Sequence, residues 1–178
     1  MALTFVTVCG SLRAKSSNAA LLDAVSILAP EGVAVERYDG LGALPAFNPD
    51  DDVEPAPAAV SALRARIASA DALVISSPEY AHGVPGALKN ALDWLVSDVE
   101  IYQKPVALLN PSPGSRFAHP QLVETLRTMS AAVVDEACIT LPIAGRRLDA
   151  AGIAADAELS AAIRATLDAL AAAMSARG

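Results

Sequence analysis

Five short runs of aliphatic and β-branched residues, each followed by a stretch with helical periodicity, constrain this chain more than any other feature. The runs cover residues 3–9, 33–38, 72–76, 104–110 and 133–141. The helical stretches cover 18–28, 58–69, 86–96, 120–129 and 155–175. Runs such as Leu73-Val74-Ile75 have no polar alternation, as strands covered on both faces require. Strands separated by helices form βαβ units, and so a parallel sheet. The predicted class is therefore α/β. Residues 39–57, rich in Gly, Pro and Asp, read as a surface loop over one end of the sheet. Neither side of that loop holds a complete core, so residues 1–178 read as one domain.

Charge and hydropathy narrow the function. The formal net charge is −7, which argues against a nucleic-acid partner. No apolar run approaches the about 20 residues a membrane helix needs, and Met1-Ala2-Leu3-Thr4 does not read as the start of a secretory leader. The expectation is a cytoplasmic protein with no membrane partner. Asp50, Asp51, Asp52 and Glu54 read as a solvated loop, with no converging ligands that would make a metal site. Cys9 and Cys138 read as small buried hydrophobes, with a redox role for Cys9 the weaker reading.

In an open parallel sheet, ligands sit beyond the carboxyl ends of the strands at the switch point. The functional loops should then follow the first, third and fourth strands, at residues 10–17, 77–85 and 111–117. The first joins a buried strand to a helix N-terminus, where unpaired N–H groups and the helix dipole attract anions. Gly10 permits a sharp turn and close approach, Ser11, Ser16 and Ser17 offer hydroxyls, Arg13 a guanidinium fork, and Asn18 an amide. Ser16 or Ser17 is the N-cap. On its own spacing this segment fits a phosphate site about as well as an ordinary polar turn. It is neither a Gly-x-Gly-x-x-Gly nor a Walker loop.

The segment from Pro78 to Trp94 is more specific. It runs Pro78-Glu79-Tyr80-Ala81-His82-Gly83-Val84-Pro85-Gly86-Ala87-Leu88-Lys89-Asn90-Ala91-Leu92-Asp93-Trp94. With Gly10, Ser11, Arg13, Ser16 and Asn18, it resembles the NADPH-dependent FMN reductase family, which includes chromate-, quinone- and azo-reducing members. The resemblance follows the order of elements along essentially the whole chain. It implies a flavodoxin-like three-layer sandwich with strand order 2-1-3-4-5. It implies FMN as cofactor, its phosphate on the first loop and its ring against Pro78, Glu79, Tyr80, His82 and Gly83, largely through backbone groups.

The same resemblance implies ping-pong hydride transfer from NADPH or NADH, through FMN, to a small oxidant such as a quinone, azo compound, metal oxyanion or free flavin. No catalytic side chain is required, with Tyr80 and His82 assistants at most. The helix of residues 86–96 reads as structural, with Lys89 and Asp93 able to pair, and as a surface for a homodimer or homotetramer. After the fourth strand the family shows a Ser-x-Gly loop followed by paired glycines. Here Ser112 and Gly114 match, the paired glycines are absent, and Arg116 and Phe117 are expected to fill space near the flavin. The alternatives are a flavodoxin-type electron carrier and a flavin-less interaction protein.

Overall fold

The computed structural model describes residues 2–175. A five-stranded parallel sheet has the order β2-β1-β3-β4-β5. Its strands are β1 (Leu3–Cys9), β2 (Val33–Tyr38), β3 (Ala72–Ser76), β4 (Pro105–Asn110) and β5 (Ala132–Thr140). The helices are α1 (Ser17–Ile27), α2 (Ala58–Ser69), α3 (Gly86–Trp94), α4 (Ala118–Thr128), α5 (Ala150–Ala155) and α6 (Ala157–Ser175). The predicted α/β class and flavodoxin-like order are what the chain adopts.

Period-two alternation along the strands divides the core into two layers. Val6, Val8, Leu73, Ile75, Val106 and Leu108 face α2, α3 and α4. Phe5, Cys9, Val74, Ala107 and Leu109 face α1, α5 and α6. The central strands β3 and β4 are buried along their whole length, as uninterrupted apolar runs require. The edge strand β2 alternates in exposure, in keeping with its mixed sequence. On the other edge β5 bows out: Val106 pairs with Val133 but Leu108 pairs with Cys138. Asp135 and Glu136 are exposed in that bow, which also blunts the edge against pairing with another sheet.

Three expectations need correction. The final helix is not continuous from residue 155. Asp156 interrupts it, because its Oδ1 accepts the Leu159 N–H at 3.1 Å and caps α6. Helix α5, unassigned in sequence, precedes it and is capped by Asp149, whose Oδ1 accepts the Gly152 N–H at 2.8 Å. The long loop is also not wholly irregular, since Gly40–Ala43 and Pro49–Asp51 form single 3-10 turns.

In the acidic cluster Asp50, Asp51 and Glu54 are exposed as expected, but Asp52 is not merely solvated. Asp52 Oδ1 accepts Arg64 Nη2 at 2.8 Å and its Oδ2 accepts the Ser97 hydroxyl at 2.6 Å. The Ser97 hydroxyl, then the Arg64 guanidinium, hold the Asp52 carboxyl below the usual carboxylate range. The loop is pinned a second time by α3. Asn90 Nδ2 and Trp94 Nε1 both donate to Pro45 O, at 2.8 and 2.9 Å. Phe47 meets the buried Trp94 ring edge-on, with centroids 5.0 Å apart. Asn90 and Trp94 are thus structural, and Lys89 pairs with Asp93 at 2.5 Å on the exposed side of α3.

Candidate functional site

The loop of residues 10–16 leaves β1 at the middle of the sheet and enters α1. Ser16 is the N-cap, with its Oγ accepting the Asn18 N–H at 3.2 Å. Ser11 Oγ accepts the Arg13 N–H at 3.3 Å. Both hydroxyls act as acceptors inside the loop; the Ser11 O–H remains free to donate outward, while the Ser16 hydroxyl also interacts with the Cys9 sulfur. The backbone N–H groups of Leu12, Ala14, Lys15 and Ser16 have no partner among the described residues. Asn18 is buried, and its Oδ1 accepts the Ser76 hydroxyl at 2.9 Å, which leaves its NH2 as a donor. Arg13 and Lys15 are exposed and have no ion-pair partner among the described residues. Donors and positive charge therefore converge at the end of α1, as an anion site requires.

Gly10 serves a different end from the expected one. Its Cβ, if present, would lie 2.6 Å from Ser77 Oγ and 3.1 Å from Leu88 Cδ2. The missing side chain lets the β1 loop press against the β3 loop, and Gly10 N donates to Ser76 O at 2.8 Å.

The loop after β3 folds back on itself. Tyr80 and Gly83 exchange both backbone hydrogen bonds, at 3.1 and 2.9 Å. The turn between them places Ala81 and His82 at φ of 49° and 61°, a left-handed conformation uncommon for residues with a Cβ. The N–H groups of Tyr80 and Gly83, expected to serve a ligand, are therefore already used. Those of Glu79, Ala81 and His82 remain free among the described residues. Gly83 itself would accept a Cβ at ordinary contact distance, 3.6 Å from Tyr80 O.

Glu79 links this loop to the next. Its Oε2 accepts the N–H groups of Phe117 and Ala118 at 2.7 and 2.8 Å and the Ser115 hydroxyl at 3.2 Å. The Ala118 N–H, ahead of the other donors, holds the Glu79 carboxyl below its usual range. No local side chain caps α4, so the carboxylate from the β3 loop does so and starts the helix at Ala118 rather than at Pro120. Phe117 then lies against the His82 imidazole, with centroids 4.1 Å apart. In the β4 loop, Asn110 Oδ1 accepts the Ser112 N–H at 3.0 Å, and the Ser115 N–H closes a turn onto Ser112 O at 3.0 Å.

Two adjoining cavities share Ser17, Asn18 and Pro78. One, of about 400 Å³, reaches Glu79, Ser112 and Gly114. The other, of about 630 Å³, takes in Ser11, Arg13, Lys15, Ser16 and Tyr80. The loops after β1, β3 and β4 thus meet in one groove, as the switch-point argument predicts. His82 and Gly83 lie at the tip of the β3 loop and line neither cavity.

One part of the groove was not anticipated. The larger cavity is closed by the loop after β5, through Ile143, Gly145, Arg147 and Leu148. The switch-point rule directs attention to the central strands, whereas β5 is an edge. The signal available in sequence was Gly145 followed by two arginines, Arg146 and Arg147. Cys9 lies beneath the groove, and burial pushes its thiol up, consistent with a small hydrophobe rather than a reactive thiolate. No helix of the described residues is long and apolar enough to cross a membrane.

Comparison with known proteins agrees with this geometry. Residues 3–145 match the NADPH-dependent FMN reductase family. An NAD(P)H-dependent FMN reductase of Pseudomonas aeruginosa is 34% identical over 167 residues, 90% of this chain and 89% of that protein. A quinone reductase of Escherichia coli is 38% identical over 115 residues, but the match spans only 61% of that relative's length and 63% of this chain. Among solved structures, FerB, a flavoenzyme NAD(P)H:(acceptor) oxidoreductase from Paracoccus denitrificans, superimposes with a TM-score of 0.76 at 28% identity, covering 96% of this chain and 98% of that one. With the two motifs in place on the loops after β1 and β3, the chain belongs to the NADPH-dependent FMN reductase family.

Proposed function

We propose that this chain binds FMN in the groove and acts as an NAD(P)H oxidoreductase that passes hydride to a small oxidant, with quinones the first acceptor to test. The observation that supports it is the convergence of unpartnered N–H groups, serine hydroxyls and two unpaired cations at the end of α1, continuous with the β3 loop. Those residue types fit a phosphomonoester, which presents oxygens for charge-assisted hydrogen bonds. Ser11, Arg13, Ser16, Ser17 and Asn18 would hold the phosphate.

The ring would lie toward the β3 loop. Pro78, Glu79 and Tyr80 would meet it through the backbone, with the free N–H groups of Ala81 and His82 stabilising negative charge at its edge. Gly83 would act by closing the turn that presents them. Ser112 and Gly114 would form the third wall. When bound, FMN supplies the hydride chemistry. The chain supplies orientation, and no side chain needs to carry a proton. Tyr80, 51% exposed beside the groove, would offer the incoming nicotinamide an aromatic face.

We further propose a single-domain cytoplasmic enzyme that forms a homodimer or homotetramer. Purified protein saturated with FMN should oxidise NADH or NADPH in the presence of a quinone and no other protein. Flavin binding without turnover would indicate the electron-carrier alternative, and no flavin binding the interaction protein.

A further inference from the structure

Basic side chains are scarce here, and eight of the twelve among the described residues are engaged. Arg37, Arg64, Arg66, Lys89, Arg127 and Arg146 pair with carboxylates. Lys104 and Arg164 donate to the carbonyls of Ala70 and Leu28. The lysines and arginines with no such partner among the described residues are Arg13, Lys15, Arg116 and Arg147. Three of these four, Arg13, Lys15 and Arg147, line the same cavity of about 630 Å³. In a chain of formal net charge −7, unpaired cations converging on one hollow mark a place where anions are to be received.

One phosphate does not use all of that charge. A phosphomonoester carries about −1.5 to −2 at neutral pH. A helix N-terminus contributes roughly +0.5, and Arg13 adds a full charge, so these two come close to balancing the flavin phosphate. Lys15 and Arg147 remain. Asp149, the one carboxylate on the cavity, caps α5 and offsets one of these charges, so one net positive charge is left for a second anionic group.

The position of Arg147 is built rather than incidental. Before it, Arg146 is anchored to Asp156 at 2.6 Å. After it, Leu148 packs on the core and Asp149 caps α5. Between these anchors the backbone of Arg147 is held left-handed at φ 53°, a conformation that residues with a Cβ seldom adopt without a reason. The same cavity runs on to Pro78 and Tyr80, so a second anionic group bound there would belong to a molecule that also reaches the proposed ring site.

We infer that Arg147, together with Lys15, forms a subsite for the 2′-phosphate of NADPH, so that the loop after β5 selects NADPH over NADH. This inference rests on the flavin reading above. The 2′-phosphomonoester is what distinguishes the two donors, and a planar guanidinium matches its oxygens. The alternative source of phosphate is the diphosphate bridge, which both donors share.

The test is calorimetric titration of the whole protein, with and without FMN, using adenosine 2′,5′-bisphosphate and ADP as probes. The bisphosphate should bind wild type about tenfold more tightly than ADP, the scale of one charged hydrogen-bonded contact. Arg147→Ala should erase most of that difference, and Arg147→Lys should restore part of it. Equal affinity for the two probes in wild type, or a difference indifferent to Arg147→Ala, overturns the inference. So does an FMN dissociation constant that rises in Arg147→Ala as far as in Arg13→Ala, since Arg147 would then serve the flavin phosphate. Titration of wild type with FMN alone tests the flavin reading separately, and its failure leaves the comparison of the two probes to stand or fall by itself.

Discussion

The Glu79 carboxylate accepts the N–H groups of both Phe117 and Ala118, and so one side chain fixes the β3 loop and caps α4 across 38 and 39 positions of sequence. Two walls of the groove are thereby held in register. Glu79→Ala should weaken FMN binding and lower the melting temperature together, because both loops are released. The pH dependence has a definite sign. A carboxyl whose folded pKa is depressed stabilises the protein above its ordinary value of 4.5 and loses that contribution as pH falls through the lower folded value. Stability measured from pH 7 to 3 should fall with acid in wild type, and less steeply in Glu79→Gln.

Arg13→Ala should raise the dissociation constant for FMN by about tenfold or more, as expected for a charge-assisted contact at a partly solvated site. Riboflavin, which lacks the phosphate, should bind wild type and variant alike. Fluorescence quenching titrations of both flavins at two salt concentrations check this. Unchanged FMN affinity would move the phosphate off the first loop.

Gly10→Ala should destabilise the fold by about 1–3 kcal/mol through overpacking. The added methyl meets Ser77 Oγ and Cβ at 2.6 and 3.0 Å. Pairing it with Ser77→Gly should recover much of the loss in urea unfolding. If Gly10→Ala unfolds like wild type, the two loops are not in contact as described.

Arg64→Ala should cost about 1–3 kcal/mol, between the values for breaking an exposed and a buried ion pair, since the network is partly buried. Arg64 contacts Asp52, Asp98, Ser97 and the Trp94 carbonyl, and the Asp98 side chain is only 8% exposed. The loop of residues 39–57 should become the first site of proteolytic cleavage. A variant with wild-type stability and an intact loop would contradict the network.

The sheet was legible in sequence because β3 and β4 are buried on both faces, which leaves no room for polar alternation. The loop of residues 10–16 was legible for a related reason: Ser16 caps α1 from within its own segment. What stayed hidden depended on partners far away in the chain. The start of α4 is set by Glu79, not by any residue beside Phe117. Asp52 looked solvated until the fold brought Arg64 and Ser97 to it. Gly10 carries a packing constraint from Ser77 and Leu88 that its own segment does not show. The loop after β5 escaped notice because an edge strand is not where the switch-point rule looks, and only the packing of α5 against α1 brings Arg147 to the groove.

Gly10 N bonded to Ser76 O joins the ends of two strands that lie far apart in the chain and next to each other in the sheet. An unfolded chain holds neither loop in place, so a flavin that binds between them binds only the native form. Its affinity is then added to the stability of the whole sheet by mass action, reaching about 2.7 kcal/mol when free FMN exceeds its dissociation constant a hundredfold. Cofactor supply would in this way govern how long the protein lasts as well as how fast it works.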